Sequence, residues 1–583
     1  MFPSWVLRSY LPLRNPIGFG ASDFVELAVV AMLVCLVMAR AWMEPFARRL
    51  AARPGWCIAL LAVLPVALRL ALLPQYPVPT PSGSDDFSYQ LLGDTLSHLR
   101  LANPVHPLHR FFEGVFTLQQ PAYSSIFPLG QGFVLALGRM IFGHPWAGVL
   151  LSVAALCSLC YWMLRAWTTP LWALTGGLLA VFEFGPLNQW TNCYWGGALS
   201  AAAGCLVFGA LPRLRDGRRT RDAALLGLGI AVQLLARPFE CGLLAFSAVL
   251  FFLPALRDRS QWRGLARAAA VAALAVVPAV ALTLAQNKAV TGSWTTLPYM
   301  LSRYQYGVPA SFTTQPNPAP HRQLTAEQDL DYRAQCAIHG NGTDTLGSYF
   351  ERLGYRARFY RFFFLPPLYL ALVVFLVTIR EFRFAWVLLT LLIFSLGTNF
   401  YPYFYPHYIA AITCLAVLTG IRGLERLSSL KIRGLPVGRE AAGLILLFCA
   451  AHFLFWYGLH AARNEELLAG LGQYETWDYI NYGDPEGRIA INERLAQAPG
   501  KQLVFVRYAP RHGFHSWIQN AADIDGARVV WALDLGAGEN EKLLHYYPDR
   551  TAWLVEPDAR PPSLTPYRPD TSEPDVLRLE SVP

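Results

Sequence analysis

Charge is what this chain has least of: of its 583 residues only 15% are Asp, Glu, Lys or Arg, while 54% are hydrophobic. An ordinary soluble domain carries about a quarter charged residues, so most of this chain is not built to face water. No internal repeat or low-complexity tract is present, which removes solenoid and fibrous architectures. The net charge of +9 comes from Lys and Arg in short loops between apolar runs, where cations set membrane orientation, and this excludes nucleic acid as a partner. Most of the ten cysteines, Cys157 and Cys160 among them, sit inside apolar runs and act there as small hydrophobes. Cys193 and Cys336 fall in loops assigned below to the outer side and are the one candidate disulfide. There is no sign of a cleavable signal peptide, since the first apolar run begins near Phe24 and no A-x-A-like site follows it.

What is present is a series of apolar stretches of roughly 15 to 22 residues, near the length that spans hydrocarbon. They lie at 24–42, 56–73, 145–164, 171–187, 197–212, 222–236, 239–256, 265–286, 362–378, 384–400, 404–420 and 441–459, which predicts about twelve transmembrane helices. Arg40, Arg48, Arg49 and Arg53 share one connecting loop, and Arg213, Arg215, Arg218, Arg219 and Arg221 share another. These and the basic loops around Arg257 and Lys431 are predicted cytoplasmic. The alternate short loops, 188–196 and 401–403, hold no Lys or Arg and face outward on this scheme.

The run 130–142 is too short to span, so 74–144 reads as one large exoplasmic loop, with amphipathic helices at 87–100 and 130–142 on the membrane surface. A second large loop, 287–361, lies on the same side. The expected organisation is a transmembrane domain over 1–460 followed by a soluble extracytoplasmic α/β domain over 461–583. In that domain a helix at 486–497 precedes strand-like QLVFV, RVVWAL and TAWLVE, a helix falls at 539–547, and a loose Pro-rich tail begins at Pro561.

This topology gathers polar groups on one side. Asp85 and Asp86, in SGSDDFSYQLLGD, follow an early span; a carboxylate pair there can take a proton, hold a metal, or sit in a helix start capped by Ser84 or Asp85. His106, His109, Arg110 and Glu113 share that loop, and His106, His109 and Glu113 have a spacing that leaves room for a divalent metal, although Pro107 interrupts it. Asn192, Tyr194 and Trp195 come from NQWTNCYWGG, where the rings belong to an aromatic belt or stack on a sugar. Arg237 and Glu240 come from ARPFE, and His407 and Tyr408 from YPYFYPHY. Arg237 breaks the pattern of the other loop arginines and precedes a helix-breaking Pro238, so it needs a partner: either Glu240 as an i,i+3 ion pair, or an anionic group such as phosphate.

The acidic pair after an early span, followed by PLGQGFVLALGRMIFGH at Pro128 to His144, resembles the GT-C superfamily of integral membrane glycosyltransferases. The likeness is to the branch of protein O-mannosyltransferases and lipid A aminoarabinose transferase, and it covers roughly 80–420. It implies a GT-C-like α-helical polytopic fold in a bacterial inner or plasma membrane, with the active site on the extracytoplasmic side. The implied partners are a polyprenyl-phosphate sugar donor, membrane lipid, and a glycan, lipid or protein acceptor; no cofactor is required.

By position the catalytic base is Asp85 or Asp86. Family members often carry Lys before the Pro-rich start of the juxtamembrane helix; here Ser125, Ile126 and Phe127 stand there instead. That departure makes Arg237, Arg110, His407 and Tyr408 the candidates for donor phosphate, with Glu240, Asn192, Tyr194, Trp195, His106 and Glu113 as candidates for substrate. Inversion at the sugar C1 is expected. The alternative is a transporter or flippase of a lipid-linked or anionic solute, which calls for ionisable groups at mid-span and internal symmetry.

Overall fold

Each of the twelve apolar runs contains helix in the computed structural model, which describes residues 21–81, 83–217, 219–462, 487–510, 512 and 516–569. Among these residues six helices are long and apolar enough to cross a membrane: Pro54–Ala71, Pro145–Leu164, Pro238–Leu256, Arg259–Thr291, Pro406–Ser428 and Val437–Ala462. A seventh span is reached if Leu346–Phe363 and Pro366–Arg380, bent by 110° at their junction, count as one. The expected twelve therefore overstates what helix length supports. Pro170–Phe184 and Phe382–Thr398 are apolar but shorter than a full span.

The chain divides into two units. The first comprises Met1–Pro79, Trp146–Ala281 and Thr345–Asn481. Its core runs from Leu61 through Trp167, Phe208 and Phe251 to Trp386 and Leu424, while Val63, Phe246, Val277 and Val373 are exposed on helices otherwise suited to lipid. Helices approach closely where small residues allow it. A Cβ on Gly204 would lie 1.8 Å from the Ala411 carbonyl oxygen, so the Ala198–Gly217 helix packs directly against the Pro406–Ile412 turn.

The second unit comprises Thr80–Pro145, Leu282–Asp344 and Tyr482–Pro583. Most of the two large loops thus shares one body with the C-terminal segment, while 74–79 and 345–361 belong to the first unit. Strands β1 (Thr117–Leu118) and β2 (Ser124–Ser125) form a small antiparallel pair. Strands β3 (Lys501–Val506), β4 (Val529–Leu533), β5 (Arg550–Glu556) and β6 (Ser563–Pro566) form a sheet in the order β4-β3-β5-β6, parallel except for β6. The strands match the predicted runs, but β6 lies in the stretch expected to be loose tail, where its ladder to β5 holds it. Helices Arg488–Gln497 and Ala537–Tyr546 accompany the sheet. Leu503, Phe505, Val530 and Leu543 from this module pack with Leu91, Phe111, Phe112 and Tyr123 from the first loop in one core.

The expected surface helix over 87–100 is Ser84–Ser97, and ten of its fourteen residues are buried. It is a core helix of the second unit rather than a membrane-surface one, because Leu91, Leu92 and Leu96 are matched by protein. The neighbouring Leu129–Phe142 helix buries one side and exposes Phe133, Leu137, Met140 and Ile141, which suits the interface. No disulfide is formed among the described residues, so Cys193 and Cys336 are not joined. The expected helix start at 486 lies outside the described residues.

Candidate active site

In the second unit the organising feature is the start of the Ser84–Ser97 helix. Gly83, extended at φ −96° and ψ 157°, is the N-cap, and no side chain caps the helix. The cap expected at Ser84 or Asp85 is therefore one residue earlier. Asp85 and Asp86 fall instead in the first turn, where the helix dipole favours carboxylates. Asp86 is buried and Asp85 half-buried.

The helix is held on several sides. Ser88 Oγ donates to the Phe116 carbonyl at 2.6 Å and meets Ser125 Oγ at 2.7 Å. Tyr89 stacks on Phe127 at 4.2 Å. Asp94 accepts the Ala522 N–H at 2.7 Å and pairs with Arg139 at 2.8 Å. Ser125 and Phe127 thus position this helix.

The second loop brings further acids to the same unit. Thr325 and Gln328 form a capping box that starts the Ala326–His339 helix, whose first two turns carry Glu327 and Asp331. Glu327 is buried and takes a hydrogen bond from Ser516 Oγ; Ser516 Oγ also lies 3.1 Å from Ser84 Oγ. Burial pushes the Glu327 carboxyl above its ordinary range, opposed by Ser516, His512, Tyr508 and Arg488. Burial likewise pushes the Asp331 carboxyl up to about 7, opposed by the Gln335 amide at 2.6 Å and reinforced by the charges of Asp85 and Glu327. Arg488 is the buried cation nearby, donating to the Ser516 carbonyl and lying 4.6 Å over Phe87 and 4.4 Å over Trp517. Carboxyl groups sharing a confined space and differing in proton affinity are the arrangement from which general acid–base chemistry is built.

The remaining first-loop candidates are placed differently. His106 Nε2 lies 3.1 Å from the Tyr547 hydroxyl and 3.3 Å from Asp525, and its Nδ1 accepts the Leu108 N–H, so it fastens the loop to the C-terminal module. Its burial lowers its proton affinity, with Asp525 opposing. His109 contacts Gln120 at 2.8 Å and Glu113 at 4.0 Å. Burial raises the Glu113 carboxyl, against Arg322 and Arg110. Arg110 is exposed. Among the described residues no group of three or more His, Cys, Asp or Glu side chains is placed to hold a metal ion.

In the first unit Arg237 sits at the break between the Thr220–Ala236 and Pro238–Leu256 helices, ending one and preceding the other. Pro238 cannot continue the first helix, which forces the extended backbone at Arg237. Its guanidinium is 3.8 Å from Glu240 and 4.9 Å over the Tyr408 ring. His407 stacks on Tyr405 at 5.4 Å and meets Tyr408 edge-on at 4.7 Å. Trp195 stands edge-on to Tyr405 and His407 at 5.4 and 5.9 Å. Arg237, Glu240, His407, Tyr408 and Trp195, far apart in the chain, therefore form one cation–aromatic cluster.

Asn192 and Tyr194 make hydrogen bonds elsewhere in the same unit. Asn192 accepts Arg69 Nε at 2.7 Å and donates to the carbonyls of Pro186 and Asn188, and the Tyr194 hydroxyl donates to the Pro79 carbonyl at 2.8 Å. Arg69 is fully buried, reaches the carbonyls of Tyr76 and Pro77, and lies 4.9 Å over Trp146. Arg69, Glu327 and Asp331 enter as candidates only from the structure. A single Arg in the apolar run 56–73 was the available signal for the first; nothing local marks the other two.

No protein-family model and no curated protein matches the chain. Among solved structures it is similar to ArnT from Cupriavidus metallidurans in the apo state, with 14% identity over 87% of this chain and 93% of that one and a TM-score of 0.47. ArnT bound to undecaprenyl phosphate gives 13% identity over 86% and 93%, with a TM-score of 0.46. The archaeal oligosaccharyltransferase AglB from Archaeoglobus fulgidus, in complex with an inhibitory peptide and a dolichol-phosphate, gives 12% over 86% and 69%, with a TM-score of 0.36.

Proposed function

We propose that this chain transfers a sugar from a polyprenyl-phosphate-linked donor to an acceptor hydroxyl at a membrane surface, with inversion at C1. One observation supports the reading: the Asp85–Asp86 turn shares its surroundings with Glu327 and Asp331, and burial with the charges of Asp85 and Glu327 pushes the Asp331 carboxyl up to about 7, a value suited to acid–base chemistry near neutral pH. In the reaction the C1–oxygen bond to the lipid phosphate breaks as the acceptor oxygen bonds C1 from the opposite face. The acceptor proton passes to Asp85 or Asp86, and the polyprenyl phosphate leaves as an anion.

A phosphate is already a good leaving group, so the reaction needs a base and a cation more than a strong acid. Arg237, with His407 and Tyr408, is the proposed ligand of the donor phosphate; a guanidinium suits phosphate through its planar set of donors. Trp195 offers a ring face to the sugar. Arg110, exposed on the first loop, is a second candidate cation.

The test supplies the full-length protein in proteoliposomes with radiolabelled polyprenyl-phosphate sugars and follows loss of label from the lipid. A correctly placed base contributes about 10²- to 10⁴-fold in rate, so Asp85→Asn or Asp86→Asn is expected to lose that much. Full activity in both variants rejects the assignment.

A further inference from the structure

The Leu346–Ala357 helix of the first unit takes no part in the transfer reaction proposed for the Asp85–Asp86 turn, and its sides differ sharply. Toward protein it presents Tyr349, Arg352 and Arg356. The Tyr349 hydroxyl donates to the Leu396 carbonyl at 2.7 Å, and the Tyr349 carbonyl accepts Asn399 Nδ2 at 2.8 Å. Arg352 Nε donates to the Asn399 carbonyl at 2.9 Å. The buried Arg356 reaches the carbonyls of Thr398 at 3.0 Å, Tyr403 at 3.1 Å and Tyr401. A second side is apolar: Leu346, Phe350, Leu353 and Ala357 recur at i, i+4, i+7 and i+11, one stripe of a helix. Leu346 is 79% exposed and Phe350 62% exposed. Glu351, also exposed, lies off this stripe.

What covers the stripe follows from the next element. Leu346–Phe363 and Pro366–Arg380 together are apolar enough to cross a membrane, yet they are bent by 110° at their junction. The second arm packs directly on the Pro406–Ser428 span, since a Cβ on Gly423 would lie 2.0 Å from the Ala371 carbonyl oxygen. It also exposes Leu370 and Val373, as a lipid-facing helix does. Spans tilt by about 20° from the bilayer normal, so an arm bent by 110° from one lies close to the bilayer plane. There an exposed apolar stripe meets the boundary between headgroups and acyl chains. Arg358 and Arg361 stand by the bend, where long cations reach headgroups while their stems stay in apolar surroundings.

The turn gripped by Arg352 and Arg356 leads into the cation–aromatic cluster. The Tyr401 ring is 5.5 Å from Tyr408 and 5.2 Å from Phe239, and Tyr405 stacks on His407.

We propose that the Leu346–Ala357 helix is a strap docked on the membrane's own lipid: its Leu346–Phe350 side enters the bilayer interface, and its arginines hold the 398–403 turn so that His407 and Tyr408 are placed for the donor phosphate. The docking stands on the bend and the exposed stripe. Its coupling to the donor rests on the glycosyl-transfer reading. Arg352 and Arg356 are positioning residues, acting through backbone carbonyls, and no bond-making step is added.

The experiment uses the full-length protein in vesicles of phosphatidylethanolamine and phosphatidylglycerol. With tritiated phospholipid, photo-crosslinking from Phe350→benzoylphenylalanine is expected to capture about fivefold more lipid than from Glu351→benzoylphenylalanine. Equal capture, or none at 350, overturns the docking. Phe350→Asp, at an exposed position, is expected to weaken binding of undecaprenyl phosphate about fivefold at an unchanged melting temperature, and Phe350→Leu to keep it. Arg352→Gln is expected to weaken that binding similarly while lipid capture at 350 persists, with Arg352→Lys restoring most of it.

Wild-type affinity in both Phe350→Asp and Arg352→Gln overturns the coupling. So does a fall in melting temperature that matches the loss of binding, which marks a structural role. A wild type that binds no undecaprenyl phosphate removes the donor reading and the coupling with it, and the capture comparison still decides the docking.

Discussion

Arg237 and Asp331 are the two residues whose surroundings make the sharpest demands. Arg237 has an acid at 3.8 Å and an aromatic face at 4.9 Å, a setting that fixes a guanidinium without replacing the anion it is proposed to bind. A hydrogen bond to a charged group is worth about 1.5 to 3 kcal/mol, so Arg237→Ala is expected to weaken undecaprenyl phosphate binding by roughly 10- to 100-fold, read by equilibrium binding of the tritiated lipid. Unchanged affinity would leave only the Glu240 ion pair.

Asp331 gives a stability prediction with a definite sign. Its folded-state value of about 7 stands above the ordinary 3.8, so between these values the folded chain holds a proton that the unfolded chain releases. Stability is therefore lost as pH rises through this window and stays lower above it. Asp331→Asn cannot ionise, so its melting advantage over wild type is expected to be small near pH 4 and to grow toward pH 8. A flat difference across that range contradicts the assignment. Asp85, Asp86, Arg237 and His407 were legible in the sequence because each departs from the rule of its neighbourhood: acids beside an apolar run, a cation outside the basic loops, a histidine at a span's end. Glu327 and Asp331 break no local rule.

Among elements, the helix pair Ser84–Ser97 and Leu129–Phe142 positions the carboxylates. Gly132 faces Leu92 so closely that a Cβ would come 2.4 Å from Leu92 Cγ, and Gly93 faces Leu135 at 2.8 Å. Overpacking such a contact costs about 1 to 3 kcal/mol. Gly132→Val is expected to lower the melting temperature and to reduce transfer, because the strain falls on the Ser84–Ser97 helix whose first turn carries Asp85 and Asp86. A variant at the exposed Phe133, one residue away, tests whether the effect belongs to the interface: Phe133→Leu should leave the melting temperature within error. The sequence placed a helix over each of these stretches, yet read the first as lying on the membrane. Periodicity reports that a helix has an apolar side and is silent on whether lipid or protein covers it.

For the whole molecule, the second unit is assembled from three separate stretches of chain, and its core joins Leu503 and Phe505 to Phe111 and Phe112. Removing 482–583 therefore does not trim off a spare domain. It exposes the apolar side of the first loop, and the truncated protein is expected to show protease cleavage within 80–145 under conditions where the full chain resists. Resistance in the truncated form would show that the first loop folds without the module.

Hydropathy, period and charge placement are local quantities, and so the membrane class, the positions of the apolar helices, the strand runs of the C-terminal module and the candidacy of Asp85 and Arg237 are legible along the chain. The sequence left open what covers the Ser84–Ser97 helix and that Glu327 and the C-terminal Ser516 share a hydrogen bond. Those follow from the tertiary structure. They depend on contacts between segments separated by hundreds of residues, and such contacts are selected by the packing of the whole core rather than by any window of sequence.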